Sequence, residues 1–159
     1  MESKKFIEAK LYLSKAAQIA IESLKKFPQK KESNDFNNHI LKCYIKFEFD
    51  ISNPEPKYRN LRSLKYLEDD VFILFQEGSG ELVEEFWRRI KEENLPFKRE
   101  NKMAKILKQK KINNNIEYDF VNDVMIPYLQ EGLITEEELV LLKAYLGKFE
   151  EKQSNRKSI

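Results

Sequence analysis

Residues 135–150 read TEEELVLLKAYLGKFE, and this stretch predicts the most clearly delimited helix of the chain. Thr135, followed three residues later by Glu138, forms a capping-box pattern in which each side chain bonds the other residue's backbone N–H. The apolar residues that follow at spacings of three and four predict one buried helix face. They are Leu139, Leu142, Leu146 and Phe149.

Further apolar residues of this helix lie outside that stripe, namely Val140, Leu141 and Tyr145. A helix that is apolar over much of its circumference is either central in a core or meets a partner along one flank. We expect central placement, because apolar residues at helical spacing usually lie in the core. The three residues remain a candidate face for a partner or a second copy. Residues 153–159 are mostly polar and predict a frayed tail.

A charge boundary between Lys111 and Ile112 precedes this helix. Residues 96–111 carry seven basic residues and one acid, whereas residues 112–142 carry seven acids and no Lys, Arg or His. The whole chain has a formal net charge of only +2, which conceals this segregation. Residues 113–115 are asparagines, which favour a turn. Such a turn would fold the basic segment, predicted as a helix over residues 98–111, back along the acidic one.

Upstream, amphipathic patterns predict helices over residues 3–27, from about residue 35, over 58–77 and around 82–90. Prolines in the NPEP sequence of residues 53–56 and the glycines of residues 78–80 separate them. Residues 45–51 and 116–120 alternate apolar with charged side chains, which is a strand pattern. We favour helix for both, since each lies in a longer helical period.

These patterns predict an all-α fold, a single irregular bundle of six to seven helices over residues 1–152, with a possible sub-division at residues 50–57. The low glycine and proline counts, four and five in 159 residues, agree with helices rather than a turn-rich sandwich. The fallback is an α+β fold with a small two-stranded ribbon near 45–51 and 116–120.

The single cysteine, Cys43, cannot form an internal disulfide, so nothing indicates an oxidising compartment. The N-terminal sequence lacks the apolar region of a signal peptide. No apolar run approaches the ~20 residues of a membrane span. We therefore expect a cytoplasmic protein with no membrane association.

Residues with catalytic potential are few. His39 and Cys43 share a helix face, but Cys43 is better explained as a small apolar residue of the core. One His and one Cys cannot build a zinc site, and residues 78–80 match no phosphate-binding loop. An enzyme based only on carboxylates, for example Asp69, Asp70, Asp119 and Asp123, would require them to converge in one pocket. We predict no enzyme activity, no metal and no cofactor.

The charge segregation and the aromatic-rich helices favour a non-enzymatic protein that binds another protein, as adaptors and inhibitor or immunity-like proteins do. The alternative is a nucleic-acid-binding module that uses the basic helix 98–111, because clustered lysines attract phosphates. Only one of its seven basic residues is Arg, which weakens that alternative. The candidate interaction surface consists of Lys98, Arg99, Lys102, Lys105 and Lys108.

Overall fold

A computed structural model describes residues 2–157, and within them the chain forms seven α-helices, one 3-10 turn and no strand. This confirms the predicted all-α class. The helices are α1 (Lys4–Lys26), α2 (Asn34–Ser52), α3 (Leu61–Glu77), α4 (Glu81–Glu92), α5 (Met103–Gln109), α6 (Asn115–Gln130) and α7 (Glu136–Lys157).

Both segments with an alternating pattern are helical, so the fallback ribbon does not form in residues 2–157. In α2 the helical period buries Tyr44 and Ile51, which are seven residues apart and therefore lie on one face. The same period leaves Ile45 and Phe49 exposed. The alternation of apolar and charged residues in this segment therefore does not reflect a strand, because burial follows the helical period.

Side-chain capping explains where α1, α2, α6 and α7 begin. Three of these helices begin at a side-chain N-cap, which accepts a hydrogen bond from the backbone N–H three residues later. The N-cap residues are Ser3 of α1, Ser33 of α2 and Asn114 of α6. The predicted capping box is confirmed: Thr135 N–H donates to Glu138 Oε1 at 2.9 Å, and Glu138 N–H donates to Thr135 Oγ1 at 3.1 Å.

Glycines with positive φ occupy two helix boundaries. Gly80, with φ +101°, is the N-cap of α4. Gly132, with φ +76°, follows α6, and the next residue's N–H donates to Tyr128 O at 2.9 Å. This left-handed turn satisfies the last carbonyls of α6.

The chain divides into two compact units, one formed by residues up to 76 and 80–99, the other by residues 77–79 and 100 onward. Residues 50–57, where the sequence suggested a possible sub-division of the domain, lie inside the first unit. The single domain over residues 1–152 stays a prediction. Each unit contains its own cluster of buried apolar residues.

The core of the first unit is rich in aromatic rings contributed by α2, α3 and α4. Phe75 stacks on Phe86 with ring centroids 3.8 Å apart, and the Trp87 indole N–H donates to Phe75 O at 2.8 Å. The buried Tyr44 hydroxyl donates to Val71 O at 2.8 Å. Helix α1 packs against α2 and α4 with a face that is mostly alanine and aliphatic.

The second unit builds its core from α5, α6 and α7. Its buried side chains include Met103 and Ile106 of α5, three residues of α6, and Ile112 and Ile134 between the helices. Of the predicted stripe of α7, Leu142, Leu146 and Phe149 are buried and Leu139 is partly buried. Tyr128 is fully buried and its hydroxyl donates to Glu100 O at 3.0 Å. Helix α6 continues through Pro127 to Gln130.

The basic helix is shorter than predicted. It spans Met103–Gln109 instead of residues 98–111. Asn101 Oδ1 accepts the N–H of Met103 at 3.1 Å, which starts the helix late, and Lys110 ends it with a left-handed φ of 59°.

The last helix is longer than predicted. Helix α7 reaches Lys157, so residues 153–157 are helical where the sequence indicated a frayed tail. Arg156 and Lys157 in its last turn interact favourably with the helix dipole. Residues 158–159 lie outside the described part of the chain.

Candidate interaction surfaces

The five predicted basic residues do not share one helix face. Lys98 and Arg99 precede α5, Lys102 is its N-cap residue, and only Lys105 and Lys108 lie within it. Lys102 Nζ lies 3.3 Å from Glu77 Oε1. In residues 2–157, Lys98, Lys105 and Lys108 have no carboxylate oxygen within 4.0 Å. These three ammonium groups are therefore available to an anionic partner.

The charge boundary corresponds to a cleft of about 470 Å³ in the second unit, lined by residues of α5 and α6 together with Glu77. Lys102 and Lys105 line it, and so do the acids of α6, which are Glu117, Asp119 and Asp123. No ion pair of 4.0 Å or less joins a lysine of residues 98–111 to an acid of α6 in the described chain. Glu117 instead accepts hydrogen bonds from the Gln109 side chain and the Asn113 N–H, at 2.8 and 2.9 Å.

The predicted partner face of α7 is only partly exposed. Val140 is 67% exposed and Leu141 47%, but Tyr145 is buried in the core beside Leu142. Tyr145 is therefore a core residue, as central placement of the helix required. The exposed pair Val140 and Leu141 is what remains of that face.

A second surface, which the sequence did not reveal, lies in the first unit. We call it the aromatic groove: a cleft of about 540 Å³ bounded by Phe6 of α1, the end of α2, the linker at residues 53–55, the 3-10 turn and the start of α3. Phe49 is 60% exposed, Tyr58 50% and Tyr66 64%. Large aromatic rings are usually more buried than this, so the groove is an unusual surface.

The charged side chains lining the aromatic groove are all engaged in ion pairs. Lys46 Nζ lies 2.9 Å from Asp50 Oδ2, and Glu55 Oε2 lies 3.6 Å from Lys57 Nζ. The Lys57 ammonium also lies 4.8 Å from the centroid of the Tyr58 ring. The groove consequently presents rings and neutralised charges.

One signal in the sequence could have located this groove. Tyr66 falls outside the buried stripe of α3, between Leu64 and Leu67, and Phe49 falls outside that of α2. Aromatic residues on the polar face of an amphipathic helix indicate exposure. Their convergence depends on the tertiary packing of α1, α2 and α3, which no local pattern contains.

The residues with catalytic potential are divided between the two units. His39 Nε2 lies 3.7 Å from Cys43 Sγ, and in residues 2–157 no third side chain bonds His39 to orient it. Asp69 pairs with Lys65 at 3.2 Å in the first unit, whereas Asp119 and Asp123 belong to the second. Among the described residues, no three or more His, Cys, Asp or Glu side chains are grouped to hold a metal.

None of the protein-family models, curated proteins or solved structures compared with the chain matches it. Over residues 2–157, no helix has both the length and the apolar character that crossing a membrane requires.

Proposed function

We propose that the protein is a non-enzymatic, cytoplasmic protein that binds another protein, as an adaptor or an inhibitor or immunity-like protein does. The observation that carries this proposal is the aromatic groove, where the rings of Phe49, Tyr58 and Tyr66 are each exposed by half or more. Aromatic side chains are enriched at protein interfaces, and tyrosine is among the residues that dominate binding energy there.

A comparative pull-down tests the proposal. The tagged full-length chain, a Tyr58→Ser/Tyr66→Ser variant and an Ile73→Ser control are each used to capture proteins from cells that express the gene. Ile73 is an exposed residue of α3 that does not line the groove. We expect a protein captured by the wild type and the control to be lost with the groove variant. Identical capture by all three would contradict the proposal.

Nucleic-acid binding is the second candidate, favoured by the unpaired ammonium groups of Lys98, Lys105 and Lys108. Binding to duplex and single-stranded oligonucleotides at two salt concentrations tests it, because phosphate contacts make affinity fall steeply with salt. Absence of binding at low salt would eliminate this candidate. A steep salt dependence that Lys105→Glu/Lys108→Glu abolishes would favour it over the protein-binding proposal.

A further inference from the structure

The aromatic groove has features that select one class of partner. We propose that it binds a proline-rich segment of another protein in the polyproline II conformation. This inference rests on the proposed function of protein binding and specifies the chemistry of the partner. Three properties of the groove carry it: its exposed rings, its unused hydroxyl donors and its balance of charge.

The rings provide flat, accessible faces. In residues 2–157, neither Phe49 nor Tyr66 packs against another aromatic ring, although the first unit contains many ring pairs. The Lys57 ammonium lies over one face of the Tyr58 ring. Grooves lined by aromatic rings bind polyproline II segments because the flat pyrrolidine rings pack on them, and the preformed ligand loses little entropy.

Ser63 and Tyr66 line the same groove, and their hydroxyl groups make no hydrogen bond with any described residue. A polyproline II segment has no internal hydrogen bonds, so its carbonyl groups are free to accept from these donors. An α-helical partner satisfies most of its carbonyls internally and would leave the two hydroxyls unused. The donors therefore favour an extended ligand over a helical one.

The charge of the groove complements an uncharged ligand. Its charged lining residues are Lys46, Asp50 and Glu55, and each is held in an ion pair. With Lys57 counted beside Glu55, two positive and two negative side chains balance in this lining, and a proline residue adds neither a charge nor an N–H donor. A strongly acidic or basic segment would have to compete with these existing pairs.

Titration of the full-length chain with a peptide of about ten prolines tests the inference, since that length forms a stable polyproline II helix. Backbone amide shifts in the NMR spectrum locate the site, and fluorescence anisotropy of the labelled peptide gives the affinity. We expect shifts confined to the residues around the groove. A Tyr58→Ala/Tyr66→Ala variant should bind at least about tenfold more weakly, the loss expected for a central aromatic contact.

Two further variants separate binding from folding. Tyr66→Phe removes only the hydroxyl and keeps the ring, so we expect a loss of about threefold to tenfold, equivalent to one hydrogen bond. Ile73→Ser should bind as the wild type does. A loss caused by Ile73→Ser equal to that of the groove variants would overturn the inference.

A glycine–serine peptide of equal length is the control ligand, and equal shifts with both peptides would also overturn it. If the proline peptide does not bind but the pull-down still shows a partner that requires Tyr58 and Tyr66, the polyproline II inference is overturned and the proposed protein binding stands. Loss of that groove-dependent partner as well would overturn the proposed function itself.

Discussion

Ser23 is buried within the first unit, yet its hydroxyl has no hydrogen-bond partner in the described residues. A buried polar group without a partner costs free energy, and serine is also a weaker helix former than alanine. Ser23→Ala should therefore raise the free energy of unfolding by about 1 kcal/mol. Urea unfolding followed by circular dichroism measures this.

Ser14 provides the matched control in the same helix. Its hydroxyl donates to Glu48 Oε1 at 3.1 Å and lies 3.1 Å from Ser52 Oγ. Ser14→Ala removes these interactions and should not stabilise the protein as Ser23→Ala does. A loss of stability with Ser23→Ala would show that its hydroxyl is satisfied in solution.

Tyr44 predicts a pH dependence. Burial raises the pKa of its phenol above the ordinary value near 10, so the folded state retains a proton that the unfolded state releases. This contribution is fully present below pH about 10 and is lost as the pH rises further, by up to about 1.4 kcal/mol per pH unit. Free energies of unfolding at pH values of about 9 and 11 measure the decline.

Tyr44→Phe isolates the contribution of this phenol to the pH dependence. The variant should lose about 1–2 kcal/mol at neutral pH, because Val71 O loses its hydrogen-bond donor. Between the two alkaline pH values, however, its stability should fall less than that of the wild type. A parallel decline in both proteins would contradict the prediction.

At the scale of the helix, the same substitution should have opposite effects at two glycines. Gly132 has φ +76° and Gly147 lies within α7, and an added Cβ would meet no atom within 4 Å at either position. Neither position would be crowded by an added Cβ, so the backbone conformation determines the effect of the substitution on stability. Gly132→Ala should cost about 1–2 kcal/mol, because a left-handed residue with a Cβ is strained.

Gly147→Ala should instead add about 0.5–1 kcal/mol, since alanine is favoured in a helix interior. Thermal unfolding of both variants against the wild type measures the two changes. Effects of the same sign would show that local packing, rather than backbone conformation, controls these positions.

The bounds of a helix could be predicted where the residues that cap it and its apolar period are close together in the sequence. Helix α1 was expected over residues 3–27 and spans Lys4–Lys26, because its serine cap and apolar period are encoded nearby. The end of α5 was missed, since a lysine such as Lys110 gives no indication that it will adopt a left-handed conformation. The aromatic groove was missed for another reason: Phe6, Phe49 and Tyr66 are distant in sequence and meet only through tertiary packing.

At the scale of the whole molecule, the two units have separate buried clusters, and each should respond to its own core substitutions. Ile51 and Leu142 are both fully buried, one in each unit. Replacement of either by alanine should cost about 2–5 kcal/mol in the unit that contains it. Hydrogen–deuterium exchange resolved by segment measures where protection is lost.

We expect Ile51→Ala to accelerate exchange mainly in α1–α4, and Leu142→Ala to accelerate it mainly in α6 and α7. Each variant is thus the control for the other. Equal acceleration in both units by a single variant would show that the chain unfolds as one cooperative body.

Separate clusters also bear on how the protein forms during translation. The first cluster is completed by Leu95 and Phe97, whereas the second begins at Met103 and needs Phe149. Domains generally fold as units while the chain emerges from the ribosome, the N-terminal one first. The nascent chain can therefore bury its aromatic-rich first half before the second half is synthesised, and the two sets of apolar side chains need never be exposed together.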